Sequence, residues 1–524
     1  MTGPVTIRPR SAPRPTIGDD PDPAPTAFEQ RVLDAFNHGR RTLGRPAARY
    51  DVVLGDVARG HARIIIERGE AASEAAVDHL LGWAGATDPH PQRHILITMG
   101  GEELELLAHV ERLAGDEAHE IAELVIGVGT HKAHGRTVMV TVVSDRAFHL
   151  DRSQRRVKPG VPIELSGRLS PGFSRPELLF LVDGEQIRHV LPSDGELGLQ
   201  GGRVTFRFAP PTRGQVLAEI LLVGPLGPTV GALFPLSVGE DPPGAFTLEP
   251  PPDESEIRSA ADAEDRLLQL INRERADRHL PALIRSDAAD EAARDFAVGS
   301  LRSGVMAHVG GDGSTVRDRV AARGVAAARV SENLARNSTV EEVHLSLMRS
   351  LGHRQNILDR DVDYVGIGVA TKPPIIDGID KREFWVVCNF FRSVPIVAPG
   401  RDSRTLREAF NVLRADAQLA PLRMDSDLDM LAAKLASRVL RSRTVEPEGM
   451  EPMVRKAMEL SASRWSTWAL QVYRVALPLD EATDATGALK ESYTHVGIGL
   501  AQPSLDTATD DPRTAVVFVF AEER

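Results

Sequence analysis

The sequence predicts a multidomain chain, with three domains of mixed α/β structure and one domain built only of strands. The first observation is a central stretch, residues 263–394, that joins amphipathic helical patterns to two apolar strand-like runs, Tyr364–Ala370 and Phe384–Phe391. The second is that this pattern returns on both sides of the stretch. The third is a segment, residues 150–240, with strand patterns alone. At 524 residues the chain is too long for a single hydrophobic core.

The central stretch opens with a helix that places Leu267, Leu268 and Ile271 on one stripe. A second helix is predicted near Asp287–Ser300, after a proline-containing turn. Polar signals then stand in the connections that lead to the closing strands. They are Ala307-His308, Arg317-Asp318, Ser331–Leu334 and Gly352–Leu358. The pattern predicts helices around a small sheet, with histidines and acidic residues spread over separate connections.

These motifs, in this order, resemble the CAP superfamily, the SCP domains of cysteine-rich secretory, antigen 5 and pathogenesis-related-1 proteins. The resemblance rests on "DGST" after His308, "SENLA" from Ser331, "GHRQNIL" from Gly352, "YVGIGVA" from Tyr364 and an aromatic last strand. It covers about a quarter of the chain and is of the bacterial type without disulfides. It implies an α/β/α sandwich for residues 263–394.

The resemblance also implies that His308, Asp318, Glu332, Asn333 and His353 line one binding cleft. His308, Glu332 and His353 match the cleft residues of the family directly, whereas Asp318 stands where many relatives carry Glu. Imidazole and carboxylate groups together can hold a divalent cation, zinc first, so these three are the expected metal ligands. The same three are the catalytic candidates, because a carboxylate beside a histidine can tune acid–base chemistry.

A purely structural role for these residues stays open beside the functional one. Gly352 is expected to end or kink a helix, with His353 capping the next segment. Glu332 and Asn333 could satisfy the backbone amides of a buried loop. The sequence alone therefore allows either a cleft or a satisfied polar cluster.

The helix and strand pattern of the central stretch repeats twice. A shift of 235 places Asn37 on Asn272 and Arg40 on Arg275, and a shift of 139 places Asn411 and Arg414 on the same two residues. The polar signals do not repeat. Residues 26–147 and 403–523 are therefore predicted to be degenerate CAP-like domains without a cleft. Within the last copy, the spacing of Trp465 and Trp468 predicts a helix.

The remaining segments have distinct compositions. Residues 150–240 alternate short strands with Pro- and Gly-rich turns, which predicts a β-sandwich of immunoglobulin-like size. Residues 241–262 are rich in proline and acid and predict a stiff linker. Residues 1–25 are Pro-rich and polar, without an apolar signal-peptide core, and predict a disordered leader.

The composition argues against some classes of partner and some residue roles. A net charge of −12 argues against a nucleic-acid partner. The single cysteine, Cys388, lies in a strand pattern and is expected to be a buried small hydrophobe, not a reactive thiol. No apolar run reaches the ~18 residues that a transmembrane segment needs.

We therefore expect an exported bacterial protein that binds a lipid, glycan or protein at the cell envelope or outside the cell, through the cleft of its central domain. The alternative is a metal- or His/Glu-assisted hydrolase of peptide or cell-wall bonds. Secretion or envelope location follows from the resemblance, although the sequence shows no signal peptide.

Overall fold

The fold comes from a computed structural model, which describes most of the chain. The described residues are 5–7, 12–19, 25–69, 72–89, 91–99, 103–114, 122–182, 184–192, 202–210, 213–248, 254–325, 327–372, 383–393, 399–441, 450–460, 464–475, 486–502 and 514–524. The chain forms two compact units. One comprises Met1–Val316 with Ser331–Phe390, and the other Arg317–Val330 with Phe391–Arg524.

The N-terminal segment folds as helices around a sheet. Its elements are β1 (Val5–Ile7), β2 (Thr16–Ile17), α1 (Ala27–Thr42), β3 (Arg49–Tyr50), α2 (Val52–Arg68), α3 (Glu74–Ala84), β4 (Gln92–Met99), α4 (Glu103–Leu113), β5 (Glu123–Ala133) and β6 (Arg136–Arg146). The sheet order is β3-β5-β6-β4. Helix α1 begins with a capping box between Thr26 and Glu29, which satisfies the first free amides of the helix.

An all-β region follows, as the short alternating strands predict. Its strands are β7 (Phe148–Leu150), β8 (Ser153–Gln154), β9 (Arg156–Val157), β10 (Ile163–Leu169), β11 (Ser174–Val182), β12 (Gln186–Val190), β13 (Arg203–Phe208), β14 (Gly214–Gly224), β15 (Gly227–Val238) and β16 (Phe246–Leu248). Three of them form a sheet of order β13-β10-β7, and five form a sheet of order β12-β11-β14-β15-β9. Both sheets contribute side chains to one buried apolar cluster.

The central segment contains α5 (Ala260–Ala276), β17 (Ile284–Arg285), α6 (Asp287–Ser303), α7 (Val316–Ala322), β18 (Ala327–Asn337), α8 (Val340–Arg349), α9 (Leu351–Ile357), β19 (Tyr364–Lys372) and β20 (Glu383–Ser393). Its sheet order is β17-β19-β20-β18. Strand β20 packs alternate residues into two clusters. Phe384, Val386 and Cys388 join the cluster of α5 and α8, and Trp385 and Val387 join that of α6. Both faces of the sheet are therefore covered by helices.

The C-terminal segment contains α10 (Pro399–Asp416), β21 (Arg423–Met424), α11 (Ser426–Arg441), α12 (Glu451–Leu460), β22 (Trp465–Val475), a 3₁₀ turn (Thr486–Leu489), β23 (His495–Ala501) and β24 (Thr514–Glu523). Its sheet order is β21-β23-β24-β22. The predicted helix at Trp465 and Trp468 is wrong, because both residues lie in β22, paired with β24. A spacing of three residues alone does not distinguish a helix from an irregular strand.

The three mixed sheets have corresponding strand orders. In the N-terminal sheet, the two-residue strand β3 pairs in parallel with β5, and β5 pairs antiparallel with β6. In the C-terminal sheet, β21 pairs in the same way with β23, and β23 with β24. The helix before each short strand carries an Asn bonded to the backbone eleven residues later, and an Arg whose Nε donates to a carbonyl six residues later. The pairs are Asn37 with Arg40, Asn272 with Arg275 and Asn411 with Arg414.

In each of the three mixed sheets, two glycines of the second strand in the order (β5, β19 and β23) lie against a helix. A Cβ on Gly366 would lie 2.4 Å from Ala289, and one on Gly368 would lie 2.1 Å from Arg294 N. Such distances exclude any side chain, because real Cβ atoms are never so close to backbone. Gly127 with Gly129 and Gly497 with Gly499 are equally close to α2 and α11.

The predictions of a disordered leader and of a linker need correction for the described residues. Strand β1 pairs with β16, and β2 pairs with β8. Ile17 is 1% exposed and belongs to the apolar cluster of the all-β region. Residues 241–262, predicted as a linker, contain β16 and the start of α5. The Pro-rich composition predicted disorder. The free energy gained by burying an apolar residue such as Ile17 favours an ordered segment instead.

Two further predictions about single features can be compared with the structure. Cys388 is fully buried and unpaired, and burial raises the pKa of its thiol far above the ordinary range. It is the buried small hydrophobe that the strand pattern predicts. Among the described helices, none combines the length and the apolar character needed to cross a bilayer.

Candidate functional site

The predicted cleft residues of the larger unit come from three places in the fold. His308 follows α6 in a short connection, Glu332 and Asn333 lie within β18, and His353 lies at the start of α9. The "SENLA" motif is therefore part of a strand and not of a polar loop. Ser350 is the N-cap of helix α9, and its side chain accepts from the backbone N–H of His353.

His308 and Glu332 form the centre of the site. The distance from His308 Nδ1 to Glu332 Oε2 is 2.9 Å. The Glu332 side chain is only 1% exposed, whereas that of His308 is 21% exposed. A buried carboxylate thus fixes the ring orientation of a histidine that is still within reach of solvent. Such a carboxylate–histidine pair is typical of sites that bind a ligand or transfer a proton.

Asn333 joins strand β18 to helix α9. Its Nδ2 donates to the carbonyl of His353 at 2.9 Å, and its Oδ1 accepts from Asn356 Nδ2 at 2.8 Å. Asn333 is fully buried, so both ends of its amide need these partners. Asn356 lies in the "GHRQNIL" motif and is a site residue that the motif alone did not single out. Its signal was a polar residue one turn after His353, facing the same strand.

The all-β region contributes a buried glutamate to the same helix. Glu219 of β14 is 0% exposed, and its carboxylate accepts from the backbone N–H groups of Leu351 at 2.8 Å and Gly352 at 2.9 Å. Burial raises the pKa of Glu219 to about 7, although hydrogen bonds from Gly352, Leu351 and Ser350 act in the opposite direction. The carboxylate caps the helix that carries His353.

The hairpin between β14 and β15 also reaches the connection that carries His308. The backbone N–H groups of His308 and Val309 both donate to the carbonyl of Leu226, at 3.1 and 3.3 Å. Gly227 has a φ of +103°, and a Cβ there would lie 3.0 Å from His308 Cβ. Within α9, Arg354 Nη2 donates to the Gly184 carbonyl at 2.7 Å. The surroundings of the site therefore include all-β residues that no sequence motif marks.

The structure brings together some of the predicted residues. His308 meets Glu332, and Asn333 meets the backbone of His353. Asp318 lies in the first turn of α7, in the other compact unit, so its place at the cleft stays a prediction. Within the described part of the chain, no group of three His, Cys, Asp or Glu side chains is arranged to hold a metal ion. The donor set therefore does not fit a closed zinc site, which needs four ligands.

Comparison with known families adds an independent observation. The model of the CAP family, described as the cysteine-rich secretory protein family, matches residues 268–390. This segment is a CAP domain. The match contains His308, Glu332, Asn333 and His353, and it agrees with the resemblance seen in the motifs. A search of curated proteins finds no match to the chain.

Solved structures similar to the chain include proteins described with SCP domains. An extracellular SCP-domain protein from Bacillus anthracis is 14% identical, with 48% of this chain and 83% of that chain covered and a TM-score of 0.22. A cysteine-rich secretory protein from Staphylococcus aureus is 12% identical, covering 51% and 85%, with a TM-score of 0.21. An outer surface protein from Borrelia burgdorferi is 19% identical, covering 26% and 96%, with a TM-score of 0.22.

Proposed function

We propose that the chain is an exported protein that binds a ligand or partner of the cell envelope through the His308–Glu332 cleft of its CAP domain. The observation that carries the proposal is the pairing of a buried carboxylate with a partly exposed imidazole at 2.9 Å. A carboxylate with 1% exposure costs folding free energy unless it is hydrogen-bonded. Placing it behind a solvent-accessible ring supports a binding role more than a packing role.

The same proposal includes the architecture around the cleft. We take residues 26–147, 263–394 and 403–523 as three CAP-like α/β/α sandwiches, and residues 150–240 as an immunoglobulin-like sandwich between the first two. The corresponding strand orders, the three Asn–Arg pairs and the close glycines support the internal repeat. Strands β4 and β22, which stand where β18 stands, contain no acidic residue. The two outer copies would then be scaffolds without a cleft.

Exchange of Glu332 for glutamine tests the binding role. Glutamine keeps the shape of the side chain but removes the charge that orients His308. Because a hydrogen bond to a charged group contributes about 1.5–3 kcal/mol, we expect binding to weaken roughly tenfold or more. The measurement is co-sedimentation of the full chain with purified cell-wall sacculi and with vesicles of bacterial lipids. His279→Asn, at an exposed histidine of the same domain, is the control.

The outcomes separate the candidate functions. Retention of the wild type and of the control, with loss for Glu332→Gln, supports binding. Release of soluble wall fragments by the wild type would indicate the alternative, a hydrolase that uses the His308–Glu332 pair as acid and base. Equal retention of all three proteins would refute the role of the pair.

A divalent cation at His308, Glu332 and His353 stays a separate prediction. Titration calorimetry of the full chain with zinc measures it directly. Uptake by the wild type that is lost in His308→Ala and in His353→Ala would establish these ligands. Equal uptake by wild type and variants, or no uptake, would contradict the metal site.

A further inference from the structure

A cavity outside the cleft lies where helix α3, the all-β region and helix α8 meet, within the larger unit. It has a volume of about 300 Å³. Its lining residues are Asp78, His79, Gly82, Trp83, Arg155, Gln215, Pro235, Pro243 and Arg349. None of these residues belongs to the His308–Glu332 cleft. Aromatic, proline and glycine residues form much of the walls, and the side chains of Arg155 and Arg349 also line the cavity.

The two guanidinium groups differ in how their charge is balanced. Arg349 forms an ion pair with Asp78, the one carboxylate among the described residues that line the cavity. Arg155 is 2% exposed, and its one side-chain hydrogen bond within the described residues runs from Nη1 to the Gly82 carbonyl. Burial lowers the pKa of Arg155 to about 10, with no carboxylate acting against it. Its charge is therefore buried and without a counter-ion from the described chain, which is unfavourable for folding.

Three side-chain nitrogens of the residues that line the cavity lack a hydrogen-bond partner in the described part of the chain. Arg155 Nε, Trp83 Nε1 and His79 Nε2 are each covered by protein atoms. Nη1 of Arg155 donates to the Gly82 carbonyl, which leaves Nη2 as the donor of this guanidinium that a ligand carboxylate can reach. Burial and the charge of Arg155 lower the pKa of His79 to about 4, so its ring is neutral at neutral pH.

The backbone holds Arg155 in this position. Its N–H donates to the Pro15 carbonyl at 3.0 Å, and its carbonyl accepts from Ser237 N at 3.0 Å. His79 is held by a stacking contact with Phe246, with 3.9 Å between the ring centroids. The donors are thus supported by groups on several elements, as in a preformed ligand site.

We propose that this cavity binds a small organic carboxylate. Its carboxylate group accepts from Arg155 Nη2, and its apolar body lies against the ring of Trp83 and the two prolines. Buried anchors of this kind are a signature of binding pockets, which are mostly apolar with a few placed polar groups.

Calorimetric titration of the full chain with benzoate, acetate and inorganic phosphate, at matched ionic strength, tests the proposal. We expect benzoate to bind the wild type and to bind Arg155→Gln roughly tenfold or more weakly. The control is Arg156→Gln, because Arg156 is the next residue, is 61% exposed and pairs with Asp241 on the surface. Trp83→Phe, which keeps the ring and removes the N–H, is expected to weaken binding less than Arg155→Gln.

Thermal stability without ligand gives a second measurement. If Arg155 serves a ligand and not the fold, Arg155→Gln is expected to melt at the same temperature as the wild type or higher, because a buried unbalanced charge is removed. Absence of benzoate binding by the wild type, or equal affinity in Arg155→Gln, would overturn the proposal. Tighter binding of phosphate than of benzoate would overturn the carboxylate assignment.

Discussion

Replacement of Arg275 by methionine is expected to lower the free energy of unfolding of the CAP domain by about 3–5 kcal/mol. Arg275 is fully buried and donates to four backbone carbonyls. They belong to Pro281, Ile357, Asp359 and Val362, at 2.8, 2.8, 2.8 and 3.5 Å. Methionine fills the space but leaves these acceptors without their donor, which is the costly case for buried polar groups.

Three of the four acceptors lie at or after the end of α9. The loss should therefore loosen the segment that carries His353 as well as lower stability. Hydrogen exchange at the amides of residues 357–362, together with thermal melting of the full chain, measures both effects. Arg273→Met changes an exposed arginine of the same helix and serves as the control. Similar melting and exchange in both variants would contradict the prediction.

Replacement of Glu219 by glutamine is expected to remove a pH-dependent part of the stability of the larger unit. Because burial raises the pKa of Glu219 from 4.5 to about 7, the folded state holds its proton more tightly than the unfolded state does. The contribution of this group is therefore greatest below about pH 4.5 and falls by about 3 kcal/mol as the pH rises to about 7. Above that pH it stays constant, since the group is ionised in both states.

Urea unfolding of the wild type and of Glu219→Gln between roughly pH 4 and 8 measures the difference. The free energies of unfolding of the two proteins are subtracted because other groups change the stability with pH in the opposite direction. Burial lowers the pKa of His61 to about 3, so protonation of this histidine destabilises the fold as the pH falls. Glu164→Gln, at an exposed glutamate of β10, is the control. Parallel pH profiles for wild type and Glu219→Gln would rule out this role for Glu219.

The parts of the fold that the sequence predicted are those with strong local periodicity. Leu267 and Ile271 on a helical stripe and the alternation along β20 both follow from which faces are buried. The spacing of Asn272 and Arg275 also indicated the repeats, because both residues bond to backbone at fixed offsets along the chain. The leader was not predictable in this way. Its buried apolar residue, Ile17, lies among prolines and polar residues.

The site was predictable only where a family motif marks it. The pairing of His308 with Glu332, 24 residues later, followed from the resemblance and not from any local pattern. Glu219 gave no sign of its role, because a polar residue in an alternating strand normally faces solvent. Its partners, Leu351 and Gly352, lie 132 and 133 residues away. Contacts of such long range depend on how domains pack, which short sequence windows do not report.

The hydrogen bonds from the first amides of α9 to Glu219 also affect whether the CAP domain can be separated from the all-β region. A gene fragment that encodes residues 255–395 alone would produce a helix α9 whose first amides lack their acceptor. The complementary fragment would hold a carboxylate in the middle of a strand with no amide to accept from. Separation at the boundary near residue 250 would therefore replace the Glu219 cap of α9 by water and remove a fixed support of the helix that carries His353.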